Sequence, residues 1–277
     1  MTDHLPRPEG LGHADLVDIG VNLTASQFDQ DLPAVLQRAR AAGVVRQLVT
    51  GTDLPHSRNA LALATAHPGA LYATAGVHPH AAGAVPANWR RQLGTLLADP
   101  EVRAAGETGL DFNRDYSPRP DQEAVFLAQL ELAAEHRKPV FLHERDSEGR
   151  FFELLRPLAD DLSGGVLHCF TGSERDLDRA LEAGLHIGIT GWICDERRGA
   201  TLQALAKRIP AERLMIETDA PWLLPRTIRP RRKSRRNEPG LLPWVLATLA
   251  ACRDEDPMAL ARSTSANACR LFDLPLP

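Results

Sequence analysis

Four stretches of this chain place a metal-binding type of side chain at the same point of a similar pattern. "PVFLHERD" runs through apolar residues into His143, "GGVLHCFTG" into His168, "VRAAGETGLD" into Glu107 and "RLMIETDAPW" into Asp219. A single histidine at the end of an apolar run often does no more than satisfy a hydrogen bond, and a single acid there often caps the next helix. Four at equivalent places share a cause. Two imidazoles and two carboxylates that leave water together cost several kcal/mol unless something pairs them, and one divalent cation pairs them all. Mixed nitrogen and oxygen donors suit Mn²⁺ or Zn²⁺, and Mg²⁺ where waters complete the shell.

Such residues must be brought together by elements far apart in sequence. Short β-rich runs near 16–22, 46–51, 71–77, 102–107, 139–143, 165–169, 186–191 and 213–218 alternate with helix-length patterns such as "RPDQEAVFLAQLELAAEH" and "SERDLDRALEAG". Eight strand–helix repeats in this length predict an α/β fold, a (β/α)8 TIM barrel of metal-dependent hydrolase type. A doubly wound sheet would bring a glycine-rich phosphate loop after an early strand, and none is present. Residues 1–14 carry Pro and Gly without periodicity and read as a loose N-terminal extension, leaving 15–277 as one barrel domain. Helices near 239–251 and 257–270 close the outer ring.

The barrel explains the shared position, because the carboxyl ends of all its strands open onto one face. "GVHPH" puts His78 and His80 on that rim, with Pro79 holding a rigid bend between them, and "GITGW" puts Gly191 and Trp192 there. Glu144, one residue after His143, points the other way in a strand and receives no role.

Composition bounds the rest. The chain has 277 residues, 43% of them hydrophobic, enough for a full core. No apolar stretch approaches the roughly 20 residues of a membrane span and the first residues lack a secretory h-region, so a cytoplasmic location is expected. Cys169, Cys194, Cys252 and Cys269 show no CxxC spacing and read as reduced and packed. A formal charge of −4 gives no global attraction to nucleic acid. One local patch does: in "RTIRPRRKSRR", Arg226 to Arg236, seven of eleven residues are cationic. Following strand eight, this run is expected to hang over the mouth and hold phosphates there.

The stretches "DIGVNLT", "AGVHPH", "GETGLDFNR", "VLHCFTG", "GITGWICDERRG" and "IETDAPWLLPR…SRRNEP" resemble the TatD family of metal-dependent deoxyribonucleases over roughly residues 15–273. The resemblance implies a (β/α)8 barrel with a divalent metal, Mg²⁺ first and Mn²⁺ or Zn²⁺ as substitutes. It also implies 3′-to-5′ exonuclease action on single-stranded DNA or RNA, in DNA repair or turnover, with Glu107, His143, His168 and Asp219 as metal and catalytic residues. Most members open strand one with His-x-His, where this chain has Gly20 and Asn22 after Asp18. One firmly held metal is therefore expected, with any second recruited alongside substrate. In this reading Asp219 orients the attacking water, Glu107 bridges metals if two bind, and His78 contacts the scissile phosphate. Arg226, Arg235 and Arg236 grip neighbouring phosphates, while Trp192 and Trp222 offer faces for unpaired bases. The rival readings are an amidohydrolase-like or aminoacyl-tRNA deacylase activity at the same site, and a barrel that binds nucleic acid or protein without catalysis.

Overall fold

The computed structural model describes residues 5–276. Eight parallel strands follow one another around the sheet in chain order: β1 (Leu16–Val21), β2 (Val44–Val49), β3 (Leu71–Ala75), β4 (Val102–Asp111), β5 (Val140–Arg145), β6 (Gly165–Leu167), β7 (His186–Ile189) and β8 (Leu214–Ile216). The seam between last and first is closed just beyond β8, where Asn22 N donates to Ala220 O at 2.8 Å and Asp219 N to Gly20 O at 2.9 Å. Nine α-helices surround the described barrel: α1 (Leu32–Ala41), α2 (Leu54–Ala66), α3 (Trp89–Leu97), α4 (Arg119–His136), α5 (Arg150–Leu155), α6 (Glu174–Glu182), α7 (Ala200–Leu205), α8 (Leu242–Arg253) and α9 (Pro257–Leu271). Local chemistry starts several of them. Asp53 accepts from His56 N ahead of α2, Ser173 and Asp176 form a reciprocal capping box on α6, and Asp256 accepts from Ala259 N ahead of α9.

Strands buried on both faces read as nearly continuous apolar runs, and their two faces feed different parts of the core. Leu142, Leu167 and Ile216 pack in the main cluster together with helix residues such as Phe126, Leu177 and Leu246. Val17, Ile19, Leu48, Tyr72, Ala104, Phe141, Val166 and Met215, one or two from each of seven strands, pack together in a second cluster that Phe272 and Leu274 join. The period of two then dictates what comes next along each strand. Two residues on from Phe141 lies His143, two on from Val166 lies His168, and two and four on from Met215 lie Glu217 and Asp219. The inner apolar face thus runs directly into the polar floor of the mouth.

The expected barrel and its closing helices are present, but two strand ends lie elsewhere than the sequence suggests. Glu107 does not terminate β4: the strand continues four residues to Asp111, paired with β5 as far as Arg145. Its ladder shifts register between Ala105 and Thr108, and Gly106 and Gly109 take backbone conformations at φ +145° and +147° that other residues rarely adopt. His143 likewise sits inside β5 rather than at its end. Part of the N-terminal extension, residues 1–4, lies outside the described residues. From Leu5 to Ala14 the chain forms no helix or strand, and Trp244 Nε1 of α8 donates to Pro6 O at 2.7 Å. Among the described residues no helix is long and apolar enough to cross a membrane.

Candidate active site

At the carboxyl ends of the strands lies an open cleft of about 1410 Å³, and one oxygen organises its floor. Glu107 Oε1 is 2.8 Å from His168 Nε2, 3.0 Å from His143 Nδ1 and 3.3 Å from His78 Nε2. Three strands or their loops deliver these imidazoles, so the assembly exists only in the closed barrel. Burial by itself would raise the Glu107 carboxyl. The charge of His168, with hydrogen bonds from His143 and His168, overrules it and holds the group well below the usual carboxylate range.

Behind the imidazoles stand two further acids. Glu217 is fully buried, accepts from Cys169 N at 2.6 Å and lies 3.3 Å from His168 Nδ1. Burial would lower the His168 imidazole, but carboxylates on both its nitrogens, Glu107 and Glu217, push it well above its ordinary value. The space for Glu217 is made by two glycines, since a Cβ at Gly20 would stand 2.3 Å from its Oε2 and one at Gly188 2.5 Å from its Oε1. Asp111 lies 2.7 Å from His80 Nε2 and 3.6 Å from His143 Nε2, and its other oxygen accepts from the backbone N–H groups of Asn113 and Arg114. Neither acid was singled out in the sequence, although spacing points at both: Glu107 and Asp111 are four apart on one strand, and Glu217 and Asp219 two apart.

The donor set fits a divalent cation. One ligand atom from each of His78, Glu107 and His143 lies within 4.8 Å of the others, and His168 Nε2 reaches the same Glu107 oxygen. His143 Nε2 is a buried nitrogen with no hydrogen-bond partner. A ligand histidine characteristically gives its other N–H to a carboxylate, which is the relation of His168 to Glu217. His78 differs. Its Nδ1 accepts the backbone N–H of His80 at 3.1 Å, which leaves the proton of the neutral ring on Nε2. Burial lowers its pKa to about 4 against the opposing charge of Glu107, so the ring is neutral near pH 7. An Nε2 that carries a proton donates and does not ligate.

Asp219 lines the same cleft but stands outside the group gathered on Glu107, its Oδ1 accepting from Asn22 Nδ2 at 2.9 Å. Of the four residues expected to meet at the mouth, the structure gathers Glu107, His143 and His168, and sets Asp219, three residues beyond the end of β8, in the same cleft. Burial lifts its carboxyl to about 7, His168 pulling it down while Glu107 and Glu217 push it up. Asp18 serves the scaffold: it accepts from Thr218 N at 2.9 Å and from Thr218 Oγ1 at 2.5 Å, tying β1 to the chain after β8, and burial raises its pKa to about 8. Glu144, given no role, accepts from Ser147 N and Oγ at the rim. The Cys169 thiol is pushed up to about 12 by burial and is no nucleophile at neutral pH.

Both tryptophans line the cleft, Trp222 half-exposed and Trp192 with the Arg198 guanidinium 4.4 Å from its ring centroid. The basic run does not. Arg226, Arg235 and Arg236 are absent from the lining, whose arginines are Arg114, Arg145 and Arg198. Arg236 makes two 2.7 Å contacts to the Asp31 carboxylate and a third to Gln27 O, so it holds the loop to the β1–α1 connection. Arg226 stands 4.0 Å from Asp195.

A parallel eight-stranded barrel with imidazoles and carboxylates gathered at its carboxyl-end mouth defines the class: a TIM-barrel hydrolase. Within that class the chain belongs to the TatD-related DNase family, whose model matches residues 17–273. It is 54% identical to the 3′-5′ ssDNA/RNA exonuclease TatD of Edwardsiella piscicida, over 94% of this chain and 100% of that one. To the protein of the same name from Klebsiella pneumoniae it is 52% identical, over 94% and 98%. Among solved structures it resembles a TatD homolog from Escherichia coli K12 with a TM-score of 0.86 at 29% identity, covering 95% of this chain and 99% of that one. A TatD family hydrolase from Entamoeba histolytica shares the fold with a TM-score of 0.84 at 24% identity, over 96% and 100%.

Proposed function

We propose that the protein is a metal-dependent 3′-to-5′ exonuclease of single-stranded DNA or RNA, working in the cytoplasm in DNA repair or turnover. The observation that carries this reading is the meeting of His78, His143 and His168 on one buried oxygen of Glu107 at the floor of an open cleft, in a chain more than half identical to named exonucleases. Glu107, His143 and His168 would hold a divalent ion, with Mg²⁺ favoured over Mn²⁺ or Zn²⁺. When bound, that ion supplies electrostatic stabilisation of charge growing on the phosphoryl oxygens and raises the acidity of the attacking water. Asp219, titrating near neutrality, accepts a proton from the water it orients. His78, whose Nε2 donor lies 3.3 Å from Glu107 Oε1, would turn that N–H to the scissile phosphate or the departing 3′ oxygen when substrate enters. Glu217 and Asp111 keep the His168 and His143 rings aimed into the site. Trp222, half-exposed at the cleft, stacks an unpaired base, and Trp192 lines the same wall.

The test is a 5′-labelled single strand given to protein stripped by chelator and then reloaded with Mg²⁺, Mn²⁺ or Zn²⁺. A ladder shortening from the 3′ end only after metal is restored is the expected result, and an untouched strand with every metal refutes the reading. His78 offers a sharper check. Because the ring donates and does not ligate, His78→Ala is expected to lower kcat by about 10²–10³, the usual cost of one transition-state donor. Its affinity for the metal by titration calorimetry should stay within a few-fold of the parent, whereas a ligand would take metal binding down with activity.

A further inference from the structure

The segment from Arg226 to Arg236 is a strap pinned at both ends with a cationic middle left over. At its start Arg226 lies 4.0 Å from Asp195 and Arg229 lies 3.4 Å from Glu196, in the loop that also carries Arg198 against Trp192 at the cleft wall. At its end Arg236 is clamped to Asp31 and Gln27 O, beside Thr24 and Ala25 of the cleft lining. Arg232 is turned inward to the buried Glu238 at 2.9 Å, which Arg38 of α1 also holds at 2.7 Å. These anchors account for four of the seven cations. Arg231, Lys233 and Arg235 are exposed and make no ion pair among the described residues. The strap therefore borders the mouth along its β7, β8 and β1 edge and presents three free charges just outside it.

The other side of the mouth has the opposite character. The end of β5, the loop after it and the first turn of α6 face the cleft with Glu144, Asp146, Glu148 and Asp176 against the single cation Arg145. A polyanion leaving the floor is repelled on that side and attracted on the strap side, and Trp222, four residues before Arg226, stands half-exposed on the way.

We propose that Arg231, Lys233 and Arg235 form an exosite that grips the phosphates of a single strand several nucleotides upstream of the bond being cut. This rests on the exonuclease reading for what occupies the floor, but not for what binds the strap. The grip is electrostatic and indifferent to sequence, so it favours long strands over short ones and weakens steeply with salt.

The experiment measures binding without cleavage. Two fluorescent oligothymidylates, one of about 20 nucleotides, longer than the 4–16 a single such groove covers, and one trinucleotide, are titrated by anisotropy in chelator. The proteins are the parent and the triple variant Arg231→Gln, Lys233→Gln, Arg235→Gln, whose altered side chains are all on the surface. The variant should bind the long strand roughly tenfold or more weakly, with a salt slope shallower by about 2, and bind the trinucleotide as the parent does. Unchanged affinity for the long strand overturns the exosite, as does an equal loss on both lengths. A polyglutamate of matched charge that competes as well as the oligonucleotide also overturns it, by making the patch a general anion surface. A parent that binds the long strand in this way yet never shortens it with metal refutes the exonuclease reading and leaves the exosite standing.

Discussion

Glu107→Gln is expected to abolish divalent-metal binding and to lower strand cleavage by about a thousand-fold or more. The substitution keeps the shape of the side chain and removes the one anion on which three imidazole nitrogens converge. Several kcal/mol of charge stabilisation at the phosphoryl group depend on an ion held there, and each 1.4 kcal/mol is roughly a tenfold change in rate. Calorimetric titration with Mn²⁺ and the labelled-strand assay read the two effects separately, and full metal affinity in the variant would remove Glu107 from the site. The metal-free protein gives a second signature. The lowered Glu107 pKa contributes stability at pH above its ordinary carboxylate range that is lost as pH falls through the depressed value. The raised His168 pKa contributes stability below about 6.5, the ordinary imidazole value, lost as pH rises through the elevated one. Thermal melts of the chelated parent should therefore sag at both extremes, and those of Glu107→Gln should be flatter.

Gly109→Ala carries the largest expected effect on the fold. Gly109 pairs with His143 across the β4–β5 ladder at φ +147°, and a Cβ there would lie 1.8 Å from the His143 carbonyl oxygen. No rotamer relieves a clash with backbone, so the strands must separate at the point where they hold His143 beside Glu107. Destabilisation of about 4 kcal/mol or more is expected, a fall in Tm of roughly 10 °C or insoluble protein. Gly69→Ala is the matched control. Gly69 also has positive φ, at +77°, but a Cβ there meets nothing within 4 Å, so only the backbone penalty of roughly 1–2 kcal/mol applies. Equal melting temperatures for the two variants would mean that the close approach of β4 to β5 is not needed.

The barrel was legible because its signals are local and redundant. Apolar strands that turn polar at one end, capping residues such as Ser173 and Asp53, and eight repeats of the same unit all report the same architecture, and the barrel rule then places every strand's carboxyl end on one face. His143 and His168 follow from that rule with no knowledge of contacts. Glu107 lies at a different depth from the one the sequence suggests, since β4 runs on past it through two glycines whose backbone conformations no local pattern announces. Glu217 and Asp111 were passed over because each alternates with a neighbour already given a role or lies past a strand end drawn too early.

What the sequence by itself determined is the set of repeating elements and the kind of atoms delivered to the mouth, because alternation and capping act between residues a few positions apart. Only the tertiary structure decided which of those atoms meet and what the cations do. Arg236 reads as a phosphate grip until Asp31, 205 residues away, turns up beside it, and its partner in the run, Arg232, is claimed by a buried Glu238. Which nitrogen of His78 carries the proton is not written in the sequence until the His80 N–H fixes it. The physical reason is common to all three: a charge or a tautomer is set by its nearest polar neighbours in space, and in a closed barrel those neighbours come from strands and loops whose separation in sequence carries no signal.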